Sequence, residues 1–536
     1  MSVALAPKWR VLVSDQLAEE GLAPLRADPR VELVLKPGLP PEELKREIAH
    51  AHALLVRSAT KVTADLIEAA GDLMVIGRAG VGVDNVDVEA ATRRGIVVCN
   101  SPEGNTVAAA EHTMAMMLAV ARSIPAANAS VVAGEWKRGK FVGVELLNKA
   151  LGIVGLGKIG SEVALRASAF GMRVLGHDPF ISADHAARLG VEVVSLEELV
   201  AQADFVTFHV PLNRDTWHLL NADLLARAKP GVRVINCSRG GIVDEAALAE
   251  ALRSGRVAGA GLDVFEKEPP TDSPLIGLER VVLTPHLGAS TEEAQLKVAL
   301  DVAQQVIEVL SGRPARSAVN LIPISPDTMR ALQPYLPLAE SLGRLQGQLA
   351  SAPLSSVELI YAGQLAEEDS RLLTRAFLKG LLEPVLDEPV NLVNAAMVAQ
   401  ARGLRVVESR SREQEDYVSL ITSRVSSDGQ ERVIGGTLFG RSEPRVVRMD
   451  DYRVDFRPAG HMLVSMHIDK PGMIGRVGTI LGENNINIAG MHVGRREPRP
   501  GGESVMVLAL DNPVSPAVLA QLLEVDGIMT ATTVEL

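Results

Sequence analysis

Aromatic residues make up only 3% of this 536-residue chain, a scarcity that removes the stacking platforms on which single-stranded nucleic acids are held. Excess positive charge is missing as well. The 54 Lys and Arg stand against 66 Asp and Glu, a formal net charge of −12, which is the wrong sign for a general nucleic-acid binder. Local basic pockets are compatible with that balance. Cysteine is nearly absent. Cys99 and Cys237 are too few for a disulfide framework or a zinc site, and both close apolar runs as buried strand residues do, which fits a reducing compartment. No run reaches the roughly 18 uninterrupted apolar residues of a membrane span. The longest candidate, Met114 to Ala121, is short and follows Glu111 and His112. No signal or transit pattern precedes the strand-like run that begins at Arg10. The expectation is a cytoplasmic protein with no metal, no nucleic-acid partner and no membrane partner.

What the chain does contain is apolar material, 47% of its residues, enough for about three or four domains at roughly 150 residues each. From residue 10 to 98 short β-branched runs alternate with helical stretches. The runs are Val11–Val13, Val31–Leu35, Ala53–Val56, Leu73–Ile76 and Ile96–Val98, the rhythm of a small parallel α/β sheet. A long helix is expected from Val107 to Ser123. A second α/β series follows, with strands at Leu151–Val154, Val174–Gly176, Phe205–Phe208, Val232–Ile235, Gly259–Leu262 and Val281–Leu283, and then a helix from Glu292 to Leu310. Between Asn320 and about Arg457 the texture changes, with strands at Val357–Tyr361, Tyr417–Thr422 and Arg445–Met449 but no motif. The last segment, His461 to Leu536, reads strand, helix, strand, strand, helix, strand.

The strongest single signal is Leu151-Gly-Ile-Val-Gly-Leu-Gly-Lys-Ile-Gly160. Gly155, Gly157 and Gly160 have the G-x-G-x-x-G spacing, after an apolar strand and at the start of a helix, Lys158 to Phe170. The first glycine permits the tight turn, the second lets backbone approach a pyrophosphate and the third lets helix and strand pack closely. The helix start supplies free N–H groups and partial positive charge. Asp178 ends the next strand, eighteen residues after Gly160. It can bond both ribose hydroxyls of NAD and repels the 2′-phosphate of NADP.

Three later strand ends carry unusual polar residues: Arg239, then Asp263 with Glu268, then His286. Ligands of open α/β sheets bind beyond the carboxyl ends of strands. Oxidising an alcohol with NAD requires a base for the proton, and His is the usual one near neutral pH. A carboxylate on its other nitrogen fixes the tautomer, and an Arg clamps a substrate carboxylate. Taken singly, His286 reads as a turn cap, Arg239 as half of a surface ion pair and Glu268 as a solvated loop residue. Their shared placement after strands of an NAD fold favours the catalytic reading.

Gly155-Leu-Gly-Lys-Ile-Gly160, Asn236-Cys-Ser-Arg-Gly-Gly241 and Thr284-Pro-His-Leu-Gly288 resemble the signatures of the D-isomer-specific 2-hydroxyacid dehydrogenases. The resemblance implies Arg239 as carboxylate binder, Glu268 as orienting acid and His286 as acid/base. It implies NAD contacts from Gly155, Gly157, Lys158, Ile159, Gly160, Asp178, Cys237, Ser238, Arg239, Asp263, His286 and Gly288. It also implies an α/β fold of two doubly wound parallel-sheet domains, a Rossmann NAD domain (101–290) inserted in a flavodoxin-like substrate domain (1–100 and 291–315). An α+β intervening domain (316–457) and a βαββαβ domain resembling the amino-acid-sensing ACT fold (458–536) complete the chain.

Within that family, Val56-Arg-Ser-Ala-Thr-Lys-Val-Thr63, Gly77-Arg-Ala-Gly-Val-Gly-Val-Asp-Asn85 and Asn100-Ser-Pro-Glu-Gly-Asn-Thr106 look like the substrate loops of the branch that oxidises D-3-phosphoglycerate, the first committed step of serine synthesis. A substrate with a phosphate and a carboxylate needs several cations. Arg57, Ser58, Arg78, Gly80 and Asn105 are the candidates, with Arg239 and His286. Arg138 and Lys140 lie in a segment, Gly134 to Phe141, resembling one that reaches a partner subunit's site. Each of these cations taken alone also reads as a solvated salt bridge. One departure from the family pattern is Val210, where many relatives carry a hydroxyl residue. The ACT resemblance implies L-serine as effector, held between two subunits by His467, Asp469 and Asn487, in a homo-oligomer (dimer or tetramer); a dimerising module without ligand is the alternative. Two rival functions remain: a glyoxylate-type reductase acting on another D-2-hydroxy acid, and an NAD(H)-sensing regulator without turnover. The arginine-rich loops speak against the first and the complete Arg239, Glu268, His286 set against the second.

Overall fold

The computed structural model describes residues 8–350, 352–386, 389–412, 417–496 and 501–536; the first seven residues of the expected substrate domain lie outside it. The first sheet is built from β1 (Trp9–Val13), β2 (Val31–Leu35), β3 (Ala53–Val56), β4 (Val75–Arg78) and β5 (Val97–Asn100), in the order β2-β1-β3-β4-β5 and parallel throughout. Its central strands are apolar on both faces and buried, as a parallel sheet covered by helices on both sides requires. The helix Glu292–Leu310 closes one face: Val302, Ala303 and Val306 share a core with Val11, Val13 and Leu55. A segment more than 190 residues downstream thus completes the first domain.

The inserted sheet holds β6 (Ala150–Val154), β7 (Arg173–His177), β8 (Glu192–Val193), β9 (Phe205–Phe208), β10 (Val232–Asn236), β11 (Val257–Leu262) and β12 (Val281–Leu283), in the order β12-β11-β10-β9-β6-β7-β8. All its pairings are parallel. Strand order reverses between β6 and β9, and that switch point opens a crevice at the carboxyl ends. The helix expected from Val107 to Ser123 is present, and a second one follows it directly. Thr106–Arg122 ends at Ser123, which takes the left-handed conformation (φ 53°), and a second helix, Ile124–Val132, departs at 62°. Proline at the second position of that helix cannot continue the first one's hydrogen bonding. No single helix among the described residues is long and apolar enough to cross a membrane; this bent pair passes by length and composition alone, and its first member is largely buried.

The third sheet comprises β13 (Leu354–Gly363), β14 (Arg405–Ser411), β15 (Ser419–Ser427), β16 (Gln430–Phe439), β17 (Glu443–Met449) and β18 (Tyr452–Phe456), in the order β14-β13-β15-β16-β17-β18; only β13 and β14 run parallel. Two helices with no recognisable sequence motif, Leu336–Leu349 and Arg371–Leu382, cover it. They approach backbone to backbone: a Cβ on Gly343 would lie 2.0 Å from the Phe377 carbonyl oxygen, and one on Gly380 2.0 Å from that of Glu340. The fourth sheet, β19 (His461–Ile468), β20 (Ile488–Arg495), β21 (Glu503–Leu510) and β22 (Ile528–Glu535), is antiparallel in the order β20-β21-β19-β22. One of its faces carries the helices Met473–Glu483 and Pro516–Leu523. The other places Met462, Val464, Val505 and Val507 in the same core as Leu342, Tyr361 and Phe377. The last two units therefore share a hydrophobic interior.

Candidate active site

Because the inserted sheet is parallel, the residues that follow β10, β11 and β12 emerge on one edge. The Asp263 carboxylate, fully buried after β11, holds the β12 turn in place. It accepts from the Thr284 hydroxyl (2.6 Å), the Leu287 amide (2.7 Å) and the Gly288 amide (2.8 Å), and His112 Nε2 lies 3.2 Å away. Burial alone would raise its carboxyl; the bonds from His112, Thr284 and Leu287 outweigh it and hold the group below its usual range. Its protein partners thus fix the turn that carries His286.

The turn so moored carries His286 in the left-handed region (φ 57°), with its amide bonded to the Asp263 carbonyl. Its Nδ1 is 2.9 Å from Glu268 Oε2. A carboxylate only accepts, so Nδ1 carries the proton and Nε2 is left for other chemistry. Glu268 Oε1 takes the Phe265 amide at 3.2 Å. Burial pushes the Glu268 carboxyl up, but the bond and charge of His286 together with that amide bring it net below its usual range, so it is ionised at neutral pH.

Arg239 reaches back to the first domain. Its Nε donates to Asp84 Oδ2 at 3.1 Å and its Nη1 to the Ser238 carbonyl at 2.7 Å. Arg78 lies in the same cluster: burial, aided by the charges of Arg239 and Arg57, pushes it down to about 10 against the pull of Asp84 and Asp15. Its Nε is buried with no partner among the described residues. A Cβ on Gly80 would sit 1.8 Å from Arg78 Nη1, so only glycine lets that guanidinium lie over the loop. Arg57 Nη2 lies 3.4 Å from Ser290 Oγ, and Ser58 is exposed beside it. Asn105 precedes the helix Thr106–Arg122 with its Oδ1 buried and unpartnered. Three guanidiniums thus form one cluster, in which the charges of Arg239 and Arg57 act on Arg78, and Arg57 reaches Ser290, four residues beyond His286. Arg138 and Lys140 do not join them. They sit in the exposed turn Arg138–Phe141, with Lys140 beside Glu279.

The residues expected to contact the cofactor begin at the turn after β6. Gly155 (φ 91°) makes a turn in which a Cβ would strike the His209 carbonyl oxygen at 2.6 Å, and a Cβ on Gly160 would meet the Gly155 carbonyl oxygen at 2.0 Å. At Gly157 there is open space, the cradle a pyrophosphate needs. Lys158, which opens the helix Lys158–Ala169 ahead of half-buried Ile159, pairs with Glu103 at 2.7 Å. Asp178 ends β7 and accepts the Leu156 and Phe180 amides, both at 2.8 Å. Cys237 is buried and pushed up to about 12 by that burial, so it packs as a neutral thiol. Ser238 Oγ bonds Asn236 Oδ1, and Gly288 is buried against Asp263. Burial pushes His209 down to about 4 and keeps it neutral.

In the last sheet, His467 is buried with no partner for Nδ1 among the described residues, and Asp469 pairs with Arg495 at 2.7 Å. Asn487 bonds Asp511 instead. His467 registers with Ser504 and Ile488 with Leu510, so Asn487 stands about 20 Å along the strand from His467 within one chain.

Four residues of the cleft were not singled out in the sequence reading: Asp15 and His112, and Asp84 and Asn85, which it quoted only as the end of the loop 77–85. Asp15 follows the carboxyl end of β1, and Asp84 and Asn85 close a glycine-rich loop, so the strand-end rule reaches the first of these; nothing local marks His112.

Residues 114–288 match the family model of the D-isomer specific 2-hydroxyacid dehydrogenase NAD binding domain, 331–450 that of the D-3-phosphoglycerate dehydrogenase intervening domain, and 461–527 that of the ACT domain. The chain is 48% identical to the D-3-phosphoglycerate dehydrogenase of Archaeoglobus fulgidus, over 98% of this chain and 100% of that one. It is 45% identical to the enzyme of the same name from Bacillus subtilis, with the same coverage. Among solved structures, a glyoxylate reductase from Paecilomyes thermophila matches 59% of this chain and 99% of its own at 32% identity and TM-score 0.53. A D-lactate dehydrogenase from Aquifex aeolicus, in complex with NAD and lactic acid, matches 58% and 98% at 27% identity and TM-score 0.52.

Proposed function

Since the chain belongs to the D-3-phosphoglycerate dehydrogenase family, we propose that its cleft oxidises D-3-phosphoglycerate to 3-phosphohydroxypyruvate, with the residues gathered there in distinct roles. Arg239 clamps the substrate carboxylate, its guanidinium held by Asp84 and Ser238. Arg57 and Arg78 face the phosphate, with Ser58, Gly80 and Asn105 around it. His286 Nε2 takes the hydroxyl proton, and ionised Glu268 stabilises the imidazolium that results. NAD, when bound, would supply the hydride acceptor for C2. The Gly155–Gly160 turn holds its pyrophosphate and Asp178 its ribose. Asp263 acts on this chemistry by mooring the His286 turn. The observation that carries the reading is the His286–Glu268 pair together with the three-guanidinium cluster that Arg57 ties, through Ser290, to the segment after His286. The glyoxylate-type alternative leaves two of those cations without an anion.

The assay is NADH absorbance with purified protein, in both directions, against 3-phosphoglycerate, 3-phosphohydroxypyruvate and glyoxylate. Turnover confined to the phosphorylated pair is the expected result, and turnover of glyoxylate alone would refute the assignment.

The reading extends to assembly, effector and compartment. Ile124, Val131, Val132, Trp136 and Val142 form an exposed apolar band, the kind of surface a second copy covers; the Arg138–Phe141 turn then reaches the neighbouring cleft. L-serine binds at the last sheet. Within one chain Asn487 is remote from His467 and Asp469, and β20 is an edge strand, so a site using all three joins two copies through that edge. Its effect on the cleft comes from unequal serine affinity for two domain arrangements. Calorimetry on the intact protein tests it: millimolar-range serine that neither binds nor inhibits would make the last sheet an assembly module. The buried free thiols of Cys99 and Cys237 fit a cytoplasmic location.

A further inference from the structure

We propose that Asp15, which no part of the reaction scheme above employs, is the positioning residue that shapes the phosphate-facing loop and so sets the preference for a phosphorylated substrate. The inference rests on the proposed function of the cleft. Asp15 follows β1 and is 5% exposed. Its carboxylate accepts from the amides of Arg57 (2.7 Å), Ala59 (3.2 Å) and Thr60 (3.1 Å) and from the Thr60 hydroxyl (2.5 Å). Ser14 Oγ steadies that hydroxyl at 3.0 Å. On the other side, Asn85 Nδ2 donates to the carbonyls of Arg57 (3.0 Å) and Thr60 (2.7 Å). The donors of a four-residue turn meet one anion, and two of its acceptors meet one amide.

Successive amides converging in this way make an anion-binding concavity, and here the chain's own carboxylate fills it. Two consequences follow. The amides of Arg57, Ala59 and Thr60 are spent, so substrate phosphate oxygens must be met by side chains: the Arg57 and Arg78 guanidiniums and the Ser58 hydroxyl. A buried carboxylate also lies beneath those guanidiniums, and its pull on Arg78 helps that group keep its charge despite burial. The carboxylate-binding Arg239 and the His286–Glu268 pair stand on other strands and make no bond to Asp15. A loss of Asp15 therefore falls on the phosphate end of the substrate and spares the reacting end.

A turn that merely supports the fold affects all substrates alike, and this separates the two roles. Asp15→Asn keeps the shape but sets an amide donor against three amide donors. In the reductive direction, with wild type and variant compared on 3-phosphohydroxypyruvate and on unphosphorylated hydroxypyruvate, KM for the phosphorylated substrate should rise about ten- to a hundredfold, the scale of an ångström-level misplacement. Its kcat, and kcat/KM for hydroxypyruvate, should stay within about threefold. Equal changes for both substrates, or none, overturn the inference. If the Asn variant does not fold, Thr60→Val, which removes one donor, decides between the same outcomes at smaller size. Wild-type protein inactive on the phosphorylated substrate overturns the reading of the cleft and this inference with it; active wild type without discrimination by the variants overturns the inference alone.

Discussion

Replacing Glu268 by Gln removes a charge and keeps a hydrogen-bonding shape, so it isolates what the carboxylate does for His286. The pair is 2.9 Å apart, with side chains 46% and 40% exposed. Unit charges centred about 4 Å apart at an effective dielectric near 20 attract by about 4 kcal/mol. Exposure of nearly half of each side chain screens most of that, leaving on the order of 1 kcal/mol. At about 1.4 kcal/mol per tenfold, that is a factor of about five in the stabilisation of the imidazolium formed when His286 takes the hydroxyl proton. The sign follows from the charge. Glu268 is held below the ordinary carboxyl range, so it is an anion at neutral pH, and its loss disfavours the protonated ring. Reduction of 3-phosphohydroxypyruvate needs that proton, so the decline of kcat/KM toward high pH should begin at lower pH in Glu268→Gln. In the oxidative direction the acid-side decline should move down by the same amount. The Gln amide can also turn its N–H toward Nδ1 and select the wrong tautomer, so kcat should fall by at least about 10²-fold. A pH–rate profile in both directions, followed by NADH absorbance, reads both effects. A lowered kcat with unmoved limbs would refute the electrostatic role and leave Glu268 as a loop support.

Asp178→Ala should narrow the preference for NAD over NADP, since the repulsion of a 2′-phosphate goes with the carboxylate; kcat/KM for the two cofactors measures it, and an unchanged ratio would show that Asp178 only braces Leu156 and Phe180. Gly343→Ala should destabilise the protein by roughly 1–3 kcal/mol, the cost of overpacking, because the new methyl meets the Phe377 carbonyl oxygen on a backbone that cannot rotate away; a thermal melt reads it. Val131→Asp in the exposed apolar band should weaken assembly, seen as a smaller species by sedimentation, while the melt of the separated chain stays near that of wild type.

Much of this protein is written in local spacing. β-branched runs, the glycine turn at 155–160 and the polar residues at strand ends follow from backbone sterics and from hydrogen bonding over a few residues, and those elements stand where the sequence indicates. Boundaries drift where no cap marks them: the strand expected at Leu73–Ile76 runs from Val75 to Arg78, and the helix expected to Ser123 is followed by a second one, because Ser123 accepts a left-handed turn before Pro125. Family motifs carried the catalytic residues, but their company was decided in three dimensions. Arg239 meets Asp84 across 155 residues of chain, His112 meets Asp263 across the inserted domain, and Asp15 gathers a turn more than 40 residues away. None of these pairs has a periodicity to betray it; Arg239 meets Asp84 where two parallel sheets face each other, Asp15 meets its turn because β1 and β3 lie side by side, and His112 meets Asp263 because its helix packs on β11. The intervening and last units likewise read as separate textures, yet they bury one core. Close helix packing through Gly343 and Gly380 and the core that Val464 and Val507 of the last sheet share with Leu342 and Phe377 of those helices are properties of surfaces, which a linear sequence does not display.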